Sequence, residues 1–172
     1  LLTEAMGGNS PVVVVEHKLL YGLKGPLHVA DKRLAPALPS GRARVLRQGK
    51  DVTVIAFSHM TTLAMRAAQL LSREGIDAEV IDLRTLRPLD VGTMTESACK
   101  TQHVILCEEG HAAGGVGAEL AAIIQESAFG YLDAPVTRVA ALDCPIPACA
   151  ELEDVVLPSV GRIVGAVKRV LE

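Results

Sequence analysis

The stretch Gly49–Asp90, GKDVTVIAFSHMTTLAMRAAQLLSREGIDAEVIDLRTLRPLD, constrains the fold more than any other part of the chain. It reads as one complete β–α–β unit. Val52 to Phe57 is an unbroken apolar run rich in β-branched residues, the pattern of a parallel strand covered on both faces. Thr61 to Glu74 then places Leu63, Ala67, Leu70 and Leu71 on one helical stripe, with Met65, Arg66, Gln69, Ser72 and Arg73 largely off it. Gly75 is a helix stop, and Ala78 to Leu83 predicts a second strand. A strand, a helix and a strand with short joins wind right-handed onto a parallel sheet. The expected class is therefore α/β, a three-layer, mostly parallel sheet with helices on both faces.

The same alternation continues to the last residue. Pro88 to Lys100 predicts a short helix capped by Asp90, and His103 to Glu108 a third strand. The glycine-rich turn Gly110 to Gly117 feeds a helix over Ala118 to Ala128, and Val136 to Leu142 predicts a fourth strand. A proline-rich loop, Cys144 to Pro158, leads to a terminal helix over Ser159 to Leu171. Hydrophobic residues are 49% of the chain but aromatic ones only 2%, so the core is built from Val, Leu, Ile and Ala.

The first residues do not fit this plan. Leu1 to Asn9 reads as the end of a helix entering a Gly-Gly turn, and Pro11 to Glu16, PVVVVE, as a short strand of the buried type. A lone strand leaves its backbone groups unpaired, so this one implies neighbours from another domain. Tyr21 to Gly49 shows little periodicity, and a connection of that length reads as an interdomain linker. The expected organisation is a domain tail over residues 1–22, a linker over 23–48 and an α/β domain over 49–172.

Charge and cysteine use exclude several function classes. A net charge of −3 supplies no electrostatic footprint for nucleic acid, and the basic run Lys32 to Arg47 is interrupted by Pro36 and Pro39. No apolar run approaches the ~20 residues of a membrane span, and no signal peptide is evident. Cys99, Cys107, Cys144 and Cys149 form no CxxC pair, so no cysteine zinc site is expected. Cys107 reads as a small core residue of a reduced, intracellular protein.

The candidate chemistry centres on Glu108 to Gly117, EEGHAAGGVG, which joins a strand end to a helix start at the carboxyl edge of a parallel sheet. Backbone N–H groups and the helix dipole there suit an anion. The glycines at 110, 114, 115 and 117 do not spell a dinucleotide fingerprint, and no Lys-Ser/Thr pair follows. Two readings stand open: a ligand or interface contact through His111, Gly114 and Gly115, or a tight crossover needing glycines for close packing. Ser58 and His59 are adjacent, which puts their side chains on opposite faces of a strand end and argues against a nucleophile–base pair. His17, His28 and His103 are scattered and read as structural or solvent-facing. Asp82 suggests an ion pair with Arg84 or Arg87, and Asp133 an exposed loop carboxylate. The residues alone describe an α/β domain without a self-contained active site.

Six blocks in order, HKLLYG (17–22), GKDVTVIAFS (49–58), EGIDAEVIDLRTLRPLD (74–90), EEGHAAGGVGAEL (108–120), AFGYLDAPVTRV (128–139) and DCPIP (143–147), carry a resemblance over essentially the whole chain. It resembles the beta subunit of the decarboxylating first component of 2-oxo acid dehydrogenase complexes, most closely the pyruvate dehydrogenase type. The resemblance implies that residues 1–22 end a pyrimidine-binding domain and that 49–172 form a transketolase-like carboxyl-terminal domain. It implies a parent enzyme using thiamine diphosphate and magnesium, both held outside this segment, so that no catalytic, cofactor-binding or metal-ligating residue lies here and the chain alone is inactive. The implied partners are an alpha subunit, a second beta subunit and the subunit-binding domain of the dihydrolipoyl acyltransferase. Docking of the last is implied to use the carboxylate of the LDAP motif, here Asp133, and Glu172 if that residue is the natural terminus. The implied location is the bacterial cytoplasm, or the mitochondrial matrix in a eukaryote. The HKLLYGLKGP stretch also suits an acetoin-type member, and branched-chain 2-oxo acid dehydrogenases, other transketolase-like enzymes and a purely binding module remain alternatives.

Overall fold

A computed structural model describes residues 1–24 and 38–172. The elements, in order, are α1 (Leu2–Met6), β1 (Arg44–Arg47), β2 (Val52–Ala56), α2 (His59–Arg73), β3 (Ala78–Asp82), α3 (Val91–Thr101), β4 (Val104–His111), α4 (Val116–Ala128), β5 (Thr137–Ala141), α5 (Ala150–Val156) and α6 (Val160–Leu171). They form one five-stranded sheet in the order β1-β3-β2-β4-β5. β2, β3, β4 and β5 are parallel, as Ile55 beside Ile81 and Leu106 shows, and β1 joins the outer edge of β3 antiparallel.

Each face of the sheet has its own core. On one, Val52, Val54, Ala56, Val80 and Ile105 meet Met60, Ala64, Ala67, Ala68 and Leu71 of α2 and Ile163, Ala166 and Val167 of α6. On the other, Ile55, Ile81 and Leu106 meet Met94 and Ala98 of α3 and Leu120, Ile124 and Ala128 of α4. The three-layer α/β class expected from the sequence is the observed one. Every residue of β2 is buried, which explains why that strand reads as a continuous apolar run.

Several local expectations are corrected. The run Pro11–Glu16 is not a strand; it has no partner among the described residues, and Val13 and Val15 are 87% and 85% exposed. Its apolar composition suits a strand, but a strand needs a neighbour to take its hydrogen bonds. The linker assigned to 23–48 overlaps β1, so the sheet begins before residue 49. Its residues 25–37, with His28, lie outside the described residues. α2 begins at His59 rather than Thr61, and its buried stripe is Met60, Ala64, Ala67, Ala68 and Leu71, while Leu70 is exposed. α5 interrupts the proline-rich loop, and β4 continues to His111, so the glycine turn is shorter than expected.

Asp90 does cap α3. Its Oδ1 accepts the Thr93 N–H at 3.1 Å, and Oδ2 accepts the Ala43 N–H at 3.0 Å, which also pins the chain entering β1. Cys107 is buried in β4, where desolvation pushes its thiol up to about 12, so it behaves as a small apolar residue. Among the described residues no helix is long and apolar enough to cross a membrane.

Candidate functional site

The parallel strands run β3-β2-β4-β5 across the sheet, so chain order reverses between β2 and β4. β2 leads into α2 on one face, and β4 leads into α4 on the other. The two connections diverge and leave a crevice at the carboxyl ends of these strands, where open α/β sheets bind ligands.

Three polar side chains converge at that crevice. His59 opens α2, directly after Ser58, whose φ of 56° is strained for a residue other than glycine. Glu109 stands near the end of β4, past its last pairing with β2 at Cys107. His17 arrives from the amino-terminal segment, where it caps a short 3-10 turn over Lys18–Gly22 and its Nδ1 accepts the Leu19 N–H at 3.2 Å. His17 Nε2 lies 2.9 Å from Glu109 Oε2, and His59 Nδ1 lies 3.3 Å from Glu109 Oε1. The two imidazoles stack with centroids 4.9 Å apart and planes 22° from parallel. All three side chains are partly shielded, with 19–27% of their surface exposed. His59 therefore starts a helix and faces a carboxylate, rather than ending a strand opposite Ser58.

Glu108, one residue earlier, points the other way. It is 3% exposed, and its Oε1 has no hydrogen-bond partner. A Cβ on Gly115 or Gly117 would collide with its carboxylate, so both positions need glycine for close packing. The Gly114 φ of +70° also favours glycine, although open space surrounds it. His111 does not join the crevice cluster; its Nε2 lies 2.9 Å from the Cys144 carbonyl and ties the end of β4 to the following loop.

Asp82, at the carboxyl end of β3, accepts the Arg84 backbone N–H at 3.0 Å instead of pairing with a guanidinium. The Arg84 side chain donates to the carbonyls of Leu38, Pro39 and Arg42. Burial pushes the Asp82 carboxyl above its usual range, against the Arg84 N–H and the charges of Arg84 and Arg44.

Asp133 stands at the opposite, amino-terminal edge. It is exposed, and its backbone N–H donates to the Gln102 carbonyl at 3.0 Å. Phe129 and Tyr131 beside it are 72% and 59% exposed. With Gln125, Leu132, Ala134 and Pro135, Phe129 and Asp133 line a concavity of about 290 Å³. Glu172 follows α6 in one layer, whereas Leu132 packs into the core of the other, so the two carboxylates expected to dock a partner stand on different layers.

The sequence alone pointed to none of the three crevice residues as a group. His59 follows the first parallel strand and Glu109 lies near the end of the third, so the reversal of strand order is a signal that identifies their meeting place. Nothing in the sequence around His17 announces that it joins them.

Comparison with known proteins supplies the lineage. Residues 41–163 match the family described as "Transketolase, C-terminal domain". The chain is 43% identical over 172 residues to the mitochondrial pyruvate dehydrogenase E1 component subunit beta of Dictyostelium discoideum, covering 100% of this chain and 48% of that protein. It is 42% identical over 172 residues to the corresponding subunit of Rickettsia felis, covering 99% of this chain and 51% of that protein. It thus spans about half the length of these relatives. Among solved structures, a split-gene transketolase described as an inactive beta4 tetramer aligns with TM-score 0.66 and 32% identity, over 78% of this chain and 43% of that one. An α/β sheet of this strand order, with a family match over most of its length, belongs to the transketolase C-terminal domain family.

Proposed function

We propose that this chain is the carboxyl-terminal part of the beta subunit of a pyruvate-dehydrogenase-type 2-oxo acid dehydrogenase, contributing assembly and docking rather than chemistry. The supporting observation is similarity to such beta subunits that runs through the whole chain, including the residues ahead of the family match. The parent reaction is oxidative decarboxylation of a 2-oxo acid, most simply pyruvate, with transfer of the acyl group to a lipoyl acceptor. Its partners are an alpha subunit and a second beta subunit. The compartment is the mitochondrial matrix or a bacterial cytoplasm, following the relatives named mitochondrial and those of Rickettsia.

Thiamine diphosphate and magnesium belong to that parent enzyme and are held outside these residues. The chain's own chemistry supports this. The N-terminus of α4 is where an open sheet seats a diphosphate, but the buried Glu108 carboxylate already lies against Gly115 and Gly117 there and would repel one. No step of the reaction is assigned to a residue of this chain, and the chain alone is inactive on this reading.

The amino-edge surface suits docking of the acyltransferase's subunit-binding domain. Exposed Phe129 and Tyr131 offer rigid apolar area, and Asp133 offers an acceptor for a basic partner group. If Glu172 is the natural terminus, it supplies a second carboxylate after α6, on the other layer from Asp133. Titration of the protein with the isolated subunit-binding domain tests this directly. Binding should weaken with salt, and Asp133→Ala should weaken it about tenfold, mainly through faster dissociation if the charge pair is desolvated. Absence of binding, or binding indifferent to Asp133, would remove the docking role. The lineage would stand.

A further inference from the structure

We propose that His17, His59 and Glu109 form a binding site for one divalent transition-metal ion, with zinc the best match, at the crevice between β2 and β4. Their ligating atoms all lie within 4.8 Å of one another. A tetrahedral zinc ion with nitrogen and oxygen ligands at about 2.0–2.1 Å sets its ligand atoms roughly 3.3–3.4 Å apart along each edge. His17 Nε2 lies 2.9 Å from Glu109 Oε2 and His59 Nδ1 lies 3.3 Å from Glu109 Oε1, so each nitrogen is already near that spacing from one oxygen of the shared carboxylate, which would turn to present a single oxygen to the ion. Two imidazole nitrogens and one carboxylate oxygen are a donor set that zinc accepts, with a fourth position left for water. Magnesium and calcium prefer all-oxygen shells, so the nitrogen donors argue against them.

Placement supports the site independently of the donor set. His59 is fixed in the first turn of α2 and Glu109 in β4, so two ligands sit on rigid elements at the topological crevice. The third comes from the amino-terminal segment, so the ion would clamp that segment to the sheet. None of the three residues contributes to either core cluster. Close packing of the apolar interior therefore does not explain their convergence.

Loading has a definite proton consequence. The Leu19 N–H bond to His17 Nδ1 leaves a neutral ring with its proton on Nε2, donated to Glu109. Coordination through Nε2 requires that proton to leave and the ring to be reprotonated at Nδ1, so protons balance and the exposed Leu19 hydrogen bond is given up. That loss costs little beside a metal–imidazole bond. The Leu19 amide therefore reports on occupancy.

The rival explanation is a metal-free latch, in which one carboxylate accepts from two stacked imidazoles. A chelator-stripped preparation of the full protein in its native assembly, competed for zinc against a chromophoric chelator, separates the two. One zinc per copy of this chain is expected, weakened about 100-fold or more by His17→Ala and by Glu109→Gln. His103→Ala, a control at a distant histidine, should leave it unchanged. Since a variant could misfold, cobalt(II) is also added to the unaltered protein, where visible bands of four-coordinate nitrogen–oxygen ligation and a shifted Leu19 amide resonance are expected. No stoichiometric zinc, equal affinity in folded His17→Ala and Glu109→Gln, or a six-coordinate cobalt spectrum would each overturn the site and leave the latch.

Discussion

The two edges of the sheet treat polar side chains in opposite ways. At the amino edge they are buried and closed. Glu79, 2% exposed, accepts from the Ser97 hydroxyl, the Lys100 ammonium and the Gly49 N–H, the last at 3.4 Å. Thr53, fully buried, shares hydrogen bonds with Ser97 at 2.6 Å and Thr101 at 2.7 Å, which joins β2 and β3 to α3. At the carboxyl edge the groups are less closed: Glu109 is partly exposed beside two imidazoles, the buried Glu108 keeps an Oε1 without a hydrogen-bond partner, and Asp82 is held above its usual range by burial. A closed network fixes the register of the layers, whereas groups left open can meet a ligand or a partner. The contrast puts most of the closed polar network at one edge and the open groups at the other, with two exceptions: Asp90 is buried and hydrogen-bonded where it caps α3 at the carboxyl edge, and Asp133 and its aromatic neighbours lie on the outer surface beside the closed edge.

The sharpest way to break that contrast is to open the amino edge. Lys100→Ala strands the Glu79 carboxylate in the interior and should cost about 3–5 kcal/mol in urea unfolding. Glu79→Gln keeps the shape and most hydrogen bonds and should cost only about 1–2 kcal/mol. Equal effects, or the reverse order, would mean that the carboxylate is not enclosed as its burial indicates. At the carboxyl edge, Gly117→Ala forces a methyl group against the Glu108 carboxylate and should cost about 1–3 kcal/mol, checked by the thermal midpoint. A neutral result would show that Glu108 swings away freely and that the packing there is loose.

Which parts were legible in the sequence follows from the same physics. β2 and β3 are buried through almost their whole length, so composition alone reveals them. β1, RVLR, hides because it is a short edge strand bounded by arginines, Arg44 exposed and Arg47 paired to Asp77 at 3.0 Å. PVVVVE has the composition of a strand but pairs with nothing among the described residues, since β-branched composition cannot supply a neighbouring strand. The buried stripe of α2 keeps Ala67 and Leu71 of the expected one but shifts to small side chains, because close approach to the sheet selects them: Ala64, Ala67 and Ala68 are fully buried, while Leu70 is left outside. α5 escapes notice because Val156 is its single buried residue. The crevice cluster joins three distant segments, and neither His17 nor Glu109 sits in a pattern that periodicity detects. The family blocks, by contrast, were readable without any contact being known.

The smallest effect distinguishes two aspartates at strand and helix ends. For Asp90, burial raises the carboxyl, but the Thr93 and Ala43 N–H groups, the Thr93 hydroxyl and Arg42 outweigh it and hold the group below its usual range. A lowered folded value gives a contribution that is present above the unfolded pKa of about 3.9 and is lost as pH falls through the folded value. Asp90→Asn should therefore destabilise the domain at neutral pH by about 1 kcal/mol, with the gap closing in acid. For Asp82, burial wins and the folded value is raised. Its titration favours folding fully below the unfolded pKa, and that gain disappears as pH rises through the folded value. At neutral pH the charged Asp82 is a partly buried burden, and Asn retains the acceptor for the Arg84 N–H. Asp82→Asn should leave the domain as stable or slightly more stable at neutral pH, and relatively less so in acid. Unfolding midpoints of both variants between pH 3 and 7 read the opposite slopes; parallel curves would show that the two carboxylates share one environment and that the strand end is no more open than the helix cap.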